Sequence, residues 1–371
     1  MDQDSILISV LILLAGFISI ELHVSTAMLE IIAGVVGSNV LNLHSFSWLD
    51  FLADFGLLGI MFLAGFEVDP KLLRSNLSRN LVIGTSSYIF PFLSIFAISF
   101  FVLKNSFETT LILSISLSTT SLALVYAVMR DRGIINTPYG QVMLGSALIT
   151  DVLSVLSLTV LIGNYGLYTI IYGLVALLFM ILSPKIGKII FKRYKGSPAE
   201  IEIKFILLLL LIMPFFSKHV GISEAVFAFL LGILFSEMIE EDIAVQEKLR
   251  GIIFGFLAPA FFFKAGLLMK FSHLTQIGIY LIIILGFIAY LSKYIVVFIT
   301  TRIYMNSHLA SMNGLFCNFR LSFGVIAAIF GLNAGILTTE LYTVVLTIIL
   351  LASTISSMAL KIIPHEIPET W

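Results

Sequence analysis

The sequence predicts an all-α polytopic membrane protein of about thirteen transmembrane helices. Three observations predict it. Of 371 residues, 59% are hydrophobic and 12% charged, where soluble domains carry roughly 25% charged residues, and the mean hydropathy is +1.08. The apolar residues form long continuous runs near the roughly 20 residues a helix needs to cross the bilayer, not the alternating stretches of about 10 residues that build barrels. The basic residues, finally, fall mostly on one side of the spans so drawn.

On that ruler the spans lie near 5–22, 25–41, 49–67, 80–103, 108–129, 138–163, 166–184, 200–217, 221–237, 250–268, 275–299, 309–331 and 338–360. The first run follows Met1-Asp2-Gln3-Asp4-Ser5 and lacks the basic region and cleavage site of a signal peptide, so it reads as a retained span. Lys185–Pro198 reads as a hinge between halves, and the acidic stretch Glu237–Glu247 as a short connector. The tail after Pro364 is too short for a soluble regulatory domain. A single cysteine, Cys317, excludes an intrachain disulfide framework. With a net charge of −1 and no basic tract, nothing points to nucleic acid.

Orientation follows from the loops. With the N-terminus outside, the inner side holds Lys71, Arg74, Arg79, Arg130, Arg132, Lys185, Lys188, Lys192, Arg193, Lys195, Lys204, Lys248, Arg250, Arg302 and Lys361, which is 15 of the 21 Lys and Arg. The outer side holds Lys104, Lys218 and Lys270, and Lys264, Lys293 and Arg320 fall within spans. A positive-inside bias this strong supports an odd span count, N-terminus outside and C-terminus inside.

Two segments share a pattern. Ser25-Thr26-Ala27 through Gly34 and Ser38 matches Ser223-Glu224-Ala225 through Gly232 and Ser236, and Ala64-Gly65 matches Ala265-Gly266 about 200 residues on. Spans 1–6 then correspond to spans 8–13 in opposite orientation, two inverted six-helix repeats joined by span 7. That arrangement is expected of a secondary transporter with a midplane ion site. The fifth span carries Ser116-Leu117-Ser118-Thr119-Thr120-Ser121 and its mate, the twelfth, Asn318-Phe319-Arg320-Leu321-Ser322-Phe323-Gly324. Both are expected to be broken helices, crossed near the midplane.

Asp151 stands alone in the otherwise uncharged stretch from Tyr139 to Gly163, beside Thr150 and five residues after Ser146. A carboxylate at that depth is costly and usually lines an ion or proton path. Burial favours its protonated form, whereas hard oxygen ligands around a cation favour the charged one, so the same group can hold either guest. The candidate monovalent cation/proton site comprises Asp151, Thr120 or Thr119, Thr150, Ser146 and the carbonyls of the break in the fifth span. Lys293, the second intramembrane charge, either snorkels from a helix end or stands beside Asp151 or Thr150 as a stabiliser of the ion-free state. Arg320 is expected to neutralise half-helix carbonyls in the twelfth span. Glu30 either pairs with Arg320 or hydrogen-bonds locally, and Lys264 is expected to snorkel to the outer interface. No nucleophile, phosphate-loop or metal-protease pattern suggests an enzyme, and no cofactor is implied.

These residues resemble the monovalent cation:proton antiporter superfamily, in the branch of Nha-, Nap- and Kef-type exchangers. The resemblance covers nearly the whole chain and rests on Thr120-Ser121, Arg130-Asp131-Arg132-Gly133, Leu144-Gly145 and Ile149-Thr150-Asp151-Val152. Further matches are Glu30 before Gly34, Phe62 to Asp69, Gly221 to Gly232, Phe261-Phe262 with Gly266, and Lys293. It implies that Asp151 is the ion-binding aspartate. It also implies a homodimer built through a panel domain (about 1–70 and 166–270), and a core (about 80–163 and 275–362) that carries the ion by an elevator-like shift. Thr150 departs from the Asp, Asn or Gln found at that position in relatives, and Leu321-Ser322 from the acidic residue many carry after the arginine. Electroneutral exchange of Na+ or Li+ for H+ is the expectation, in the plasma membrane of a prokaryote. A Kef-like K+/H+ exchanger, a sodium-coupled organic-solute symporter and a non-transport membrane protein are the alternatives.

Overall fold

The computed structural model describes residues 3–22, 24–66, 76–134, 137–162, 167–220, 224–239 and 243–363. Every regular element among them is helical. Eight helices are long and apolar enough to cross a membrane by length and composition, and shorter apolar ones include Thr26–Asn39, Phe107–Ser118 and Phe323–Asn333. The protein is thus a multi-pass, all-helical membrane protein, and its lipid-side surface is apolar, with Val160 69%, Ile277 70% and Phe287 66% exposed.

Helix starts are set by side-chain caps. The hydroxyls of Ser106, Thr275 and Thr338 and the Asn306 amide oxygen accept from the N–H groups of Thr109, Gly278, Leu341 and Leu309. Gly133, at φ +69°, ends the helix Leu122–Asp131 in the left-handed conformation that glycine adopts without strain. Next to it the Arg132 guanidinium donates to the Leu360 carbonyl.

Two of the expected spans are interrupted. Phe107–Ser118 and Leu122–Asp131 are separated by residues 119–121, and Ser307–Phe316 and Phe323–Asn333 by residues 317–322. Two connectors differ from expectation. The proposed hinge at Lys185–Pro198 is helical as far as Tyr194, because Leu167–Tyr194 runs on past Pro184. Part of the proposed acidic connector is helix too, since Ile243–Ile252 already forms the start of a rod that passes through a π turn into Ala258–Leu267. Glu67–Asp69, Lys71, Arg74, Gly221 and the tail from Pro364 lie outside the described residues, as do the side chains of Arg130 and Asp131.

The chain divides into two compact units, one of Met1–His44, Pro70–Leu158 and Ala265–Trp371, the other of Ser45–Asp69 and Thr159–Lys264. In the smaller unit, helices Ser47–Phe66 and Glu224–Ile239 pack through reciprocal glycines. A methyl group on Gly65 would strike the Phe229 carbonyl, and one on Gly232 the Phe62 carbonyl. Small residues let membrane helices approach this closely. In the larger unit Gly266 meets the Ile31 carbonyl in the same way. The tenth span thus packs on the second as the third packs on the ninth, the exchange of partners that an inverted repeat would produce.

Lys264 does not reach the interface alone. Its ammonium lies 2.9 Å from Asp50 and 3.2 Å from Asp54, one turn apart on Ser47–Phe66, and its side chain is 15% exposed. Paired carboxylates on the neighbouring helix offer the ammonium a partner that a longer reach to headgroups would not.

Candidate ion site at the paired helix breaks

The site grows from helices that stop midway. Thr119 leaves the helix Phe107–Ser118 in an extended conformation (φ −66°, ψ 162°), so the last carbonyls of that helix have no intrahelical donor. Two buried cations supply the donors. The Lys293 ammonium donates to the carbonyls of Ser118 and Thr119, each at 2.6 Å. The Arg320 guanidinium donates to the Leu117 carbonyl, and its other arm to the Ala289 carbonyl and the Asn318 Oδ1, both at 2.7 Å. Lys293 and Arg320 are both fully buried. Positive charge is favoured at a helix C-terminus, where the macrodipole leaves roughly half a negative charge.

The opposite end of the break is complementary. The N–H of Leu122, first residue of the second half-helix, donates to Asp151 Oδ2 at 3.4 Å. Asp151 is 1% exposed and sits where a helix N-terminus favours an anion. One anion therefore faces the positive end, and two cations hold the negative end, of the same interrupted span. Lys293 also lies within electrostatic range of Asp151.

The two breaks bond directly to each other. The Ser121 N–H donates to the Phe319 carbonyl at 2.6 Å, and the Thr120 hydroxyl to the Cys317 carbonyl at 3.0 Å. The Asn318 amide closes the end of Ser307–Phe316 by donating to the Gly314 carbonyl at 2.9 Å. The buried Thr301–Asn313–Cys317 chain, with contacts of 2.8 and 3.6 Å, stiffens the same end.

Several expected ligands stand elsewhere. Arg320 caps the fifth-span half-helix, not its own, because Asn318 and Thr120 already serve the carbonyl end of Ser307–Phe316. Lys293 is held by backbone carbonyls, and with Arg320 it occupies the very carbonyls expected to line a cation. Thr150 turns from the acid toward Leu77–Ala97, donating to the carbonyls of Gly84 and Ser146, each at 3.1 Å. Ser146 donates to Met143 at 2.9 Å and Thr119 to Ser116 at 3.4 Å. The Ser114 and Ser118 hydroxyls bond back to carbonyls four residues earlier, the ordinary habit of serine in apolar helices. Glu30 is 5% exposed and forms no pair with Arg320, whose contacts are the three acceptors above.

Two residues that sequence reasoning passed over belong to the arrangement. Ser353 accepts from the Arg320 N–H at 3.4 Å, and the Ala289 carbonyl fixes the guanidinium. Ser353 could have been found by stepping the repeat on, since it stands 202 residues after Asp151. Among the described residues no cluster of three or more His, Cys, Asp or Glu could hold a metal ion. What remains is a single carboxylate that can take a proton or a hard monovalent cation, with buried positive charge immobilised nearby.

The family model described as sodium/hydrogen exchanger, transmembrane, matches residues 6–364. The chain is similar to the probable Na(+)/H(+) antiporter 3 of Methanocaldococcus jannaschii, 27% identical over 347 residues, which are 89% of this chain and 87% of that one. It is also similar to the Na(+)/H(+)-K(+) antiporter GerN of Bacillus cereus, 26% identical over 364 residues, 94% of this chain and 92% of the relative. Among solved structures, the sodium proton antiporter MjNhaP1 of Methanocaldococcus jannaschii at pH 8 shares the fold, with a TM-score of 0.68, 16% identity and coverage of 96% and 97%.

Proposed function

Because the chain belongs to the sodium/hydrogen exchanger family, we propose that it is a secondary active antiporter exchanging Na+ or Li+ for H+ by competition at Asp151. The observation that carries the reading is the placement of Asp151: a solitary buried carboxylate at the N-terminal end of a half-helix. With either guest bound the carboxylate is neutralised, and the charge of the site is the same on both crossings. Empty, it bears a charge that costs several kcal/mol at that depth. Return without a guest is thereby suppressed, and exchange follows.

The stoichiometry is one for one. Lys293 is engaged at two carbonyls of a buried helix C-terminus, and losing its proton would remove the positive charge that the helix dipole favours there. It stays charged through the cycle, and Thr150 adds no second acid. The core of about 80–163 and 275–362, which carries Asp151, is the moving part in an elevator-like cycle, built on inverted repeats of thirteen spans in all. The equivalent packing of Gly65 on the Phe229 carbonyl and Gly266 on the Ile31 carbonyl supports that repeat. The protein works as a homodimer in the plasma membrane of a prokaryote, N-terminus outside and C-terminus inside.

Potassium is the second reading of the cargo, favoured by the name of the GerN relative. The deciding experiment is proton flux in proteoliposomes challenged with Na+, Li+ and K+, wild type beside Asp151→Asn. Cation-driven proton flux that is lost in the correctly inserted variant is the expected result. Flux retained in Asp151→Asn would overturn the assignment.

A further inference from the structure

The helix Leu167–Tyr194 has 28 residues, about 42 Å at 1.5 Å per residue, against a hydrocarbon core of about 30 Å. Its character changes at Pro184. Proline offers no N–H, so the Met180 carbonyl loses its usual partner, and the Ser183 hydroxyl donates to it at 2.9 Å instead. From residue 171 to that point the exposed side chains are apolar, Leu174, Leu178 and Ile181 among them. After it, Lys185, Lys188 and Lys192 follow at helical spacing and form one exposed stripe. Ile186 and Ile189, 50% and 69% exposed, lie alongside. The ion pairs of the described residues in this unit join Lys248 to Glu200 and Lys264 to Asp50 and Asp54. None involves the stripe.

We propose that Lys185–Tyr194 is a binding surface for anionic phospholipid, its ammonium groups on headgroup phosphates and its isoleucines among the acyl chains. A helix end that combines a basic stripe with exposed aliphatic side chains lies stably at a membrane surface, and anionic headgroups attract each lysine there. The positive-inside bias accounts for basic loops. It does not account for three lysines in register on a lipid-side helix face, each turn carrying an exposed isoleucine. A second copy of the chain is a poor occupant, because a two-fold interface would set the stripe against its own charge. Free phosphate would leave the isoleucines unused.

The test uses the full-length protein in neutral detergent, in the Asp151→Asn background so that its outcome is independent of transport. Thermal unfolding is followed with added phosphatidylglycerol, phosphatidylcholine or glycerol phosphate. Phosphatidylglycerol raises the midpoint by several degrees and the other two do not. The gain disappears in Lys185→Gln/Lys188→Gln/Lys192→Gln and persists in the triple Arg variant. Equal stabilisation by phosphatidylcholine or by glycerol phosphate, or an undiminished gain in the Gln variant, overturns the proposal. Should the triple variant fold poorly, bound phosphatidylglycerol counted by native mass spectrometry on Lys188→Gln/Lys192→Gln replaces it, with loss of bound lipid expected and an unchanged count contradicting it.

Discussion

Asp151 and Ser353 each accept one backbone N–H from a helix break, Leu122 donating to Asp151 Oδ2 and Arg320 to the Ser353 hydroxyl, both at 3.4 Å. They are separated by 202 residues, and the same step relates Gly84, packed on Ser146, to Gly286, packed on Ile348. The two positions have the same place in the architecture and opposite chemistry: one ionises and the other does not. The matching step places Lys293 opposite Pro91.

Ser353→Ala removes the acceptor for the Arg320 N–H and nothing that touches the cation. A loss of about 1 kcal/mol is expected, the ordinary value of one neutral hydrogen bond. A lower melting temperature with cation affinity within about twofold of wild type would agree. An affinity lost tenfold or more would place Ser353 on the ion.

Lys293→Ala leaves the Ser118 and Thr119 carbonyls buried without a donor, at about 1–3 kcal/mol each. The variant should therefore unfold more readily in detergent than Asp151→Asn, which keeps the helix end capped. Equal stability of the two would mean that Lys293 serves the proton path more than the helix end.

One-for-one exchange moves no net charge. A membrane potential of 100 mV should leave the steady-state cation gradient unchanged, whereas one net charge per cycle would be worth about 2.3 kcal/mol and shift it about fiftyfold. Clamping the voltage in reconstituted vesicles decides between them.

Protons and cations that share one carboxylate compete. Acidification should raise the apparent KM for Na+, approaching about tenfold per pH unit where the site is mostly protonated, with the maximal rate unaltered. A pH-dependent maximal rate at constant KM would call for two separate sites.

Gly65→Ala should be severe, because the added methyl would meet the Phe229 carbonyl and not a side chain that can turn aside. Overpacking of this kind costs typically about 1–3 kcal/mol. Gly16→Ala, where nothing lies within 4 Å, is the matched control, and thermal melting should separate the two.

Much of this was legible in the sequence. Long apolar runs placed the spans, because a helix in lipid must satisfy its own backbone and announces its length in composition. Polar clusters at Ser116–Ser121 and Asn318–Gly324 marked the interruptions, since apolar helices seldom concentrate such groups without a use for them. The partners were less legible. Nothing in the order of residues says that Arg320 reaches across to Leu117, or that Thr150 turns its hydroxyl to Gly84. Those depend on which helix lies next in space. The stretch Lys185–Pro198 misled in the same way: it reads as a hinge, but the Ser183 hydroxyl answers the carbonyl that Pro184 strands, and the helix runs on to Tyr194.

The Ser121–Phe319 and Thr120–Cys317 bonds tie the two interrupted spans together, and Lys293 and Arg320 rivet a third helix to them. Prising that assembly apart would strand several polar groups in oil at once. In the proposed cycle the passenger's compartment is therefore not unlatched like a door, and the cargo travels with its compartment intact, as sealed freight does.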